Sequence, residues 1–256
     1  MKPVLFEWGS LTLHSYGFMI ALGVILGAWY LEKQGSKEIG ITSNQVTKLI
    51  VFLFAAAFIG GKAFLLFEGG AFKTSDFFSG SGFVFYGSFI VAVPVMIWFL
   101  RKHQFPVFQT LDIIAVTTCM VHAFGRLGCF MAGCCYGKPT GTNWGVKFSD
   151  PASSAEPLHT FLHPVQLYEA GYIFFVCLLL LVVRRYFRKF YGQLFLFYLL
   201  LYAIGRAVIE TYRGDYVRGY VFGNVSNAQF TALMITVLSI AVFIWLYRTG
   251  KLVRIK

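Results

Sequence analysis

The chain has 256 residues, 57% hydrophobic and 13% charged, with a mean hydropathy of +0.68. Soluble domains are roughly 45–50% apolar and about 25% charged, so the composition excludes an ordinary water-soluble domain and points to a polytopic membrane protein. The formal net charge of +11 does not indicate a nucleic-acid partner, because the basic residues gather in short connections between apolar runs, the orientation signal of membrane proteins.

No removable signal peptide is expected, since Met1 to Leu13 has no basic leader followed by a small-residue cleavage site. A hydrocarbon core of about 30 Å needs about 20 mostly apolar helical residues. That measure predicts seven spans: Tyr16 to Leu31, Thr47 to Phe67, Phe83 to Leu100, Gln109 to Phe124, Pro164 to Val183, Gln193 to Tyr212 and Ala228 to Tyr247. The second is expected to be interrupted at Gly60-Gly61-Lys62, and the third to kink at Pro94. The segments after spans one, three, five and seven hold most of the 22 lysines and arginines. The positive-inside rule therefore puts the C-terminus in the cytoplasm and the N-terminus outside. The fold expected is an all-α polytopic integral membrane protein, a single domain over residues 1–256. The outward segments are then Gly69 to Gly82, Lys138 to His163 and Gly214 to Asn227, all rich in turn-forming residues.

The stretch Gly125 to Gly137 organises the chain. It follows an apolar run, yet it carries Arg126 and four glycines. A guanidinium at the edge of hydrocarbon costs from about 2.5 kcal/mol upward, which marks it as functional by default. The glycine-rich backbone is predicted to be non-helical, which at such depth requires surrounding protein or a water-filled cavity. A second constellation is Arg206, Glu210 and Arg213, stacked on one helix face at i, i+4 and i+7. It reads either as an ion pair at a helix end or as an anion site with Glu210 orienting the guanidiniums. Together with Arg126 the anion reading leads, because arginine's planar fork suits phosphate. The natural anion there is a phospholipid head group.

Other polar residues open the spans. His163-Pro164-Val165-Gln166-Leu167-Tyr168-Glu169 begins the fifth, with Pro164 suited to a first helical turn. Gln166 and Tyr168 read as a network fastening this helix to its neighbours, whereas the role of Glu169 stays open. Tyr16 taken alone is an interfacial anchor, as is Tyr86 at the head of span three. Lys62 is a lone cation that snorkels or pairs with Glu68 or Glu210. Cys119 and Cys177 read as small hydrophobes. Cys129, Cys134 and Cys135 read first as packing thiols, then as a disulfide or redox group. Their C-x4-C-C spacing, even with His122 as a fourth ligand, lacks the two separated ligand pairs of structural zinc, and no metal or other cofactor is expected.

The run Gly125-Arg126-Leu127-Gly128-x-Phe130-x-x-Gly133-x-x-x-Gly137 resembles the signature of the prolipoprotein diacylglyceryl transferases. The resemblance extends to Tyr16-Gly17, to Gly60-Gly61, to His163-Pro164-x-Gln166-Leu167-Tyr168-Glu169 and to Gly205-Arg206-x-x-x-Glu210-x-x-Arg213. It implies an enzyme of the bacterial cytoplasmic (inner) membrane. Such an enzyme moves diacylglyceryl from phosphatidylglycerol to the lipobox cysteine of a prolipoprotein signal peptide, releasing glycerol phosphate. By motif position, Arg126 and Arg206 would hold the phosphate and Glu210 would orient them. Gly133 and Gly137 would let the backbone approach the lipid, Tyr16 would line the head-group site, and Arg213 would join the phosphate-binding set. His163, Gln166, Tyr168 and Glu169 would support it.

The chain departs from that pattern in three places. The resemblance expects His-Gly-Gly in span three, but Tyr86-Gly87-Ser88 stands there, and a phenol with a pKa of about 10 is a poor base. Cys129 replaces an asparagine and Cys134 an acidic residue. Glu169, Glu210 and His163 are substitute bases, and His122, inside the fourth helix, ranks below them. These departures leave two other readings open: a paralogue that transfers a lipid group to another acceptor, and a non-enzymatic lipid-binding or redox-sensing membrane protein.

Overall fold

The computed structural model describes residues 2–9, 11–64, 85–214, 220–222 and 225–248. The predicted connection Gly69 to Gly82, the proposed Lys62 partner Glu68, much of Gly214 to Asn227 and the basic tail beyond Arg248 lie outside the described residues. Among the described residues there are seven α-helices: α1 (Ser15–Glu38), α2 (Ser43–Ala63), α3 (Phe85–Lys102), α4 (Val107–Ala132), α5 (Val165–Val182), α6 (Gln193–Glu210) and α7 (Asn227–Arg248). Six of these, α5 counted with its π-helical extension to Phe187 and α3 excepted, are long and apolar enough to cross a membrane. They present large apolar side chains outward, among them Ile25, Phe54, Phe175 and Leu238. Helices apolar on every face suit a hydrocarbon surround. The all-α membrane architecture expected from the sequence is therefore present, with α3 occupying the third predicted span.

The chain forms two compact units, residues 30–110 and residues 1–29 with 111–256. In the first unit, Gly40 at φ +70° turns the chain out of α1. Thr42 caps α2 through a reciprocal box with Gln45, with Gln45 Oε1 accepting from Thr42 N at 2.9 Å. The predicted interruption at Gly60-Gly61-Lys62 does not occur, and α2 runs through it to Ala63. The glycines serve packing instead: a Cβ on Gly60 would strike the carbonyl oxygen of Gly87 in α3, and one on Gly87 would strike that of Gly60. Small residues let two helix backbones approach this closely in an apolar surround.

In the second unit, a hairpin of β1 (Val4–Trp8) and β2 (Leu11–His14) leads into α1. The N-terminal half of α1 crosses α4 at small residues. A Cβ on Gly23 would lie 2.9 Å from Phe124 Cβ, and one on Gly27 would lie 3.0 Å from Thr117 Cγ2. Helix α5 packs on α6, where Gly205 accommodates the ring of Tyr172, whose hydroxyl donates to Leu201 O at 2.7 Å. The carboxylate of Asp112 accepts from Gly192 N (2.8 Å) and Phe195 N (3.1 Å) at the start of α6 and pairs with Arg188 Nη2 at 3.0 Å. This is an anion placed at a helix N-terminus, where backbone donors and the dipole favour it.

The connection from α4 to α5 folds on its own small core of Phe148, Ala155 and Leu162. It pairs β3 (Val146–Lys147) with β4 (Phe161–Leu162). Backbone hydrogen bonds then draw three helix ends together: Gly137 N to His163 O (3.0 Å), His163 N to Lys138 O (3.0 Å), Lys138 N to Tyr212 O (2.9 Å) and Gly214 N to Tyr136 O (3.2 Å). The end of α4, the start of α5 and the end of α6 therefore share one corner.

Candidate functional site

The Gly125–Gly137 stretch is mostly helical, contrary to the non-helical backbone predicted from its glycines. Helix α4 continues to Ala132, and the chain leaves it only at Gly133, with φ +76°. That left-handed conformation suits glycine, and a Cβ there would also collide with the Ser153 side chain. Gly128 serves packing, since its Cβ position lies 3.1 Å from Tyr16 O. At Gly137 a Cβ would lie 2.6 Å from both Cβ and O of His163, so only glycine admits the α4–α5 hydrogen bonds.

This backbone brings Arg126 of α4 to Glu169 of α5, with Arg126 Nη2 3.0 Å from Glu169 Oε1. His122, one turn before Arg126, reaches the same oxygen from Nε2 at 3.3 Å and accepts from Arg126 Nε at 3.4 Å. Arg213 Nη1 lies 4.0 Å from Glu169 Oε2, and its Nε lies 4.0 Å from Glu210 Oε2. Arg206 pairs with Glu210 along α6. The side chains of Glu169 (2% exposed), Arg213 (3%) and Arg206 (7%) are all buried. Three guanidiniums thus face two carboxylates, a net positive charge in a buried site. Nη1 of Arg206 lies against Glu210, and among the described residues nothing accepts a hydrogen bond from its Nη2. Buried donors of this kind are costly unless an acceptor arrives.

Two sequence expectations change. Glu210 orients Arg206 and approaches Arg213, but the carboxylate that holds Arg126 is Glu169, whose role the sequence left open. His122, ranked last, is in direct contact with both Arg126 and Glu169. The signal that would have found it is its i, i+4 spacing to Arg126 on one helix face. Gln166 ties α5 to the turn after α4, whereas the hydrogen-bond partner of Tyr168 lies in its own segment. Gln166 Nε2 donates to Cys134 O at 2.8 Å, and Tyr168 OH lies 3.2 Å from His163 Nδ1. His163 and Tyr168 sit with Trp144 and Tyr212 in an aromatic cluster whose ring centroids are 5.4–6.3 Å apart. The backbone of Tyr16 lies against Gly128, half a turn beyond Arg126 on α4. The side chain of Tyr86 lies outside the described residues. Its backbone is in the first turn of α3, in the other unit.

The sulfurs of Cys129, Cys134 and Cys135 lie within 4.8 Å of one another. Among the described residues all five cysteines stand as thiols. Hydrogen bonds from Cys129 and Cys134 hold the Cys135 thiol below the ordinary thiol range, and the Arg213 and Arg126 guanidiniums add to this. Cys119 and Cys177 are buried between α4 and α5.

Residues 3–245 match the family model of prolipoprotein diacylglyceryl transferase. The chain is 34% identical over 247 residues to a phosphatidylglycerol–prolipoprotein diacylglyceryl transferase of Clostridium tetani, covering 95% of this chain and 97% of that one. It is 31% identical over 261 residues to a second protein of that name from Clostridium perfringens, covering 98% and 96%. A relative from Wolbachia pipientis is 28% identical over 255 residues, covering 95% and 94%.

Proposed function

The chain belongs to the prolipoprotein diacylglyceryl transferase family, and on that premise we propose that its buried arginine–glutamate network holds the phosphate of the lipid donor. The protein is a multi-pass membrane transferase. Its substrates, as the family name implies, are phosphatidylglycerol and a prolipoprotein. The finer reading is ours. The acceptor is the lipobox cysteine of a signal peptide, the membrane is the bacterial inner membrane, and the site opens toward its outer half.

In this reaction the cysteine sulfur, as thiolate, attacks the glyceryl carbon of phosphatidylglycerol. A C–S bond forms and the C–O bond to phosphate breaks. Glycerol phosphate leaves with the bonding pair, and its added negative charge is what the site must stabilise. Arg206, held in place by Glu210 through Nη1, presents its Nη2 to the phosphate. Arg126, fixed by Glu169 and His122, supplies a second planar fork, and Arg213 adds charge between the two carboxylates. Glu169 is tied to cations, so it serves to position them rather than to take the thiol proton. Tyr86 is assigned a catalytic role by motif position and Tyr16 lines the head-group site, while Gly133 and Gly137 act through the turn and the close packing on Ser153 and His163 that bring the arginines together.

The observation that carries this reading is the buried, net-positive network, with Nη2 of Arg206 left for an incoming acceptor. The test uses labelled phosphatidylglycerol and a lipobox peptide. Wild-type protein should label the peptide thiol, and Arg126→Ala and Arg206→Ala should each abolish labelling. Undiminished labelling in both variants would overturn the site assignment.

A further inference from the structure

We propose that Cys129, Cys134 and Cys135 form a binding site for one soft, thiophilic d10 metal ion, monovalent copper or zinc, held by three sulfurs. The site does not depend on the transfer reaction. Two of its three residues stand where the family resemblance expects an asparagine and an acid.

The geometry comes from the end of α4. Cys129 lies on the last turn of the helix. Gly133, at φ +76°, reverses the chain, and Cys135 itself adopts φ +60°. The reversal brings Cys134 and Cys135 back over Cys129, with all three sulfurs within 4.8 Å of one another. Gln166 pins the turn from α5 by donating to Cys134 O at 2.8 Å. Three sulfurs around one ion, each at a metal–sulfur distance of about 2.3 Å, stand about 4 Å from one another. The cluster therefore needs only a small contraction to bind.

The chemistry selects the ion. Among the described residues the group offers sulfur alone, with no carboxylate or imidazole. Hard cations such as magnesium and calcium require oxygen, whereas thiolates select monovalent copper and zinc. Three thiolates around such an ion leave net negative charge. Arg126 and Arg213 lie within Coulombic reach of Cys135 to offset it. Monovalent copper is satisfied by the three sulfurs, while zinc takes a water as fourth ligand.

The experiment uses the full chain in detergent, reduced and free of oxygen. It is titrated with monovalent copper against a chromophoric copper chelator and, separately, with zinc against a zinc indicator. A single equivalent should bind, with thiolate-to-metal charge-transfer absorption in the ultraviolet for copper. Cys129→Ser and Cys134→Ser should each weaken binding by more than the roughly 10–100-fold that loss of an outer-shell partner costs. Cys119→Ser and Cys177→Ser should leave it unchanged. Wild-type protein that retains neither ion overturns the proposal, as does stoichiometric binding that survives Cys134→Ser. Should the serine variants fail to fold, alkylation of the wild-type thiols decides. Bound metal should protect Cys134 and Cys135, as read by peptide mass, and equal alkylation with and without metal also overturns it.

Discussion

The site turns on single side chains whose charges have no water to screen them. Glu169 is the clearest case, since it faces Arg126, Arg213 and His122 while only 2% exposed. Removing one partner of a buried pair leaves an uncompensated charge and costs about 3–5 kcal/mol. Glu169→Gln is therefore expected to lower the midpoint of thermal unfolding in detergent and to lose peptide labelling. A variant as stable and active as wild type would show that the carboxylate is dispensable. At Arg206 the question is geometry rather than charge. Arg206→Lys keeps the charge but loses the planar fork and its two terminal donors. If the fork holds Glu210 with one nitrogen and phosphate with the other, Arg206→Lys should lose labelling nearly as completely as Arg206→Ala. A lysine variant with most of the wild-type rate would instead mean that a point charge suffices.

At the scale of elements, the glycines divide by what surrounds them. At Gly137 an added Cβ would meet His163 backbone and side chain at 2.6 Å, in the middle of the hydrogen bonds joining α4 to α5. Gly137→Ala should thus yield little folded protein by size-exclusion chromatography. Gly125 has nothing within 4 Å of its Cβ position, and alanine is favoured over glycine within a helix by about 1 kcal/mol. Gly125→Ala should fold at least as well as wild type, so equal losses in both variants would contradict this division. The sequence alone marked both as one glycine-rich, non-helical stretch. Helix α4 continues because alanine, leucine and methionine support it and because the close neighbours, Tyr16 and the α1 backbone, come from elsewhere in the chain. The same holds for Gly60, where a predicted break is a packing contact with α3. Asp112 shows the opposite situation. It lies inside an apolar segment, and its role comes from Arg188 and the N-terminus of α6, both distant in the chain. Asp112→Ala should unfold at a markedly lower temperature, since it leaves Arg188 buried beside an uncapped helix.

Across the whole molecule, the expected topology rests on the lysines and arginines of the short connections. A reporter active only in the cytoplasm should be active when fused after Arg248. One active only outside should work when inserted beside Trp144 in the α4–α5 connection. The reverse pattern would reverse the orientation and put the site toward the inner half of the membrane.

The chain's membrane character, its long apolar helices and its set of arginines and glutamates follow from composition, periodicity and motif spacing, because hydropathy and i, i+4 stacking are local properties. Which carboxylate holds which guanidinium was decided only by tertiary structure. Arg126 and Glu169 are 43 residues apart in the chain, and their pairing depends on the hydrogen bonds that join α4, α5 and α6 at Gly137 and Gly214. The gathering of Cys129, Cys134 and Cys135 into one sulfur group is of the same kind. Their spacing argued against a metal, but spacing does not register that Gly133 turns the chain back on the helix it has just left.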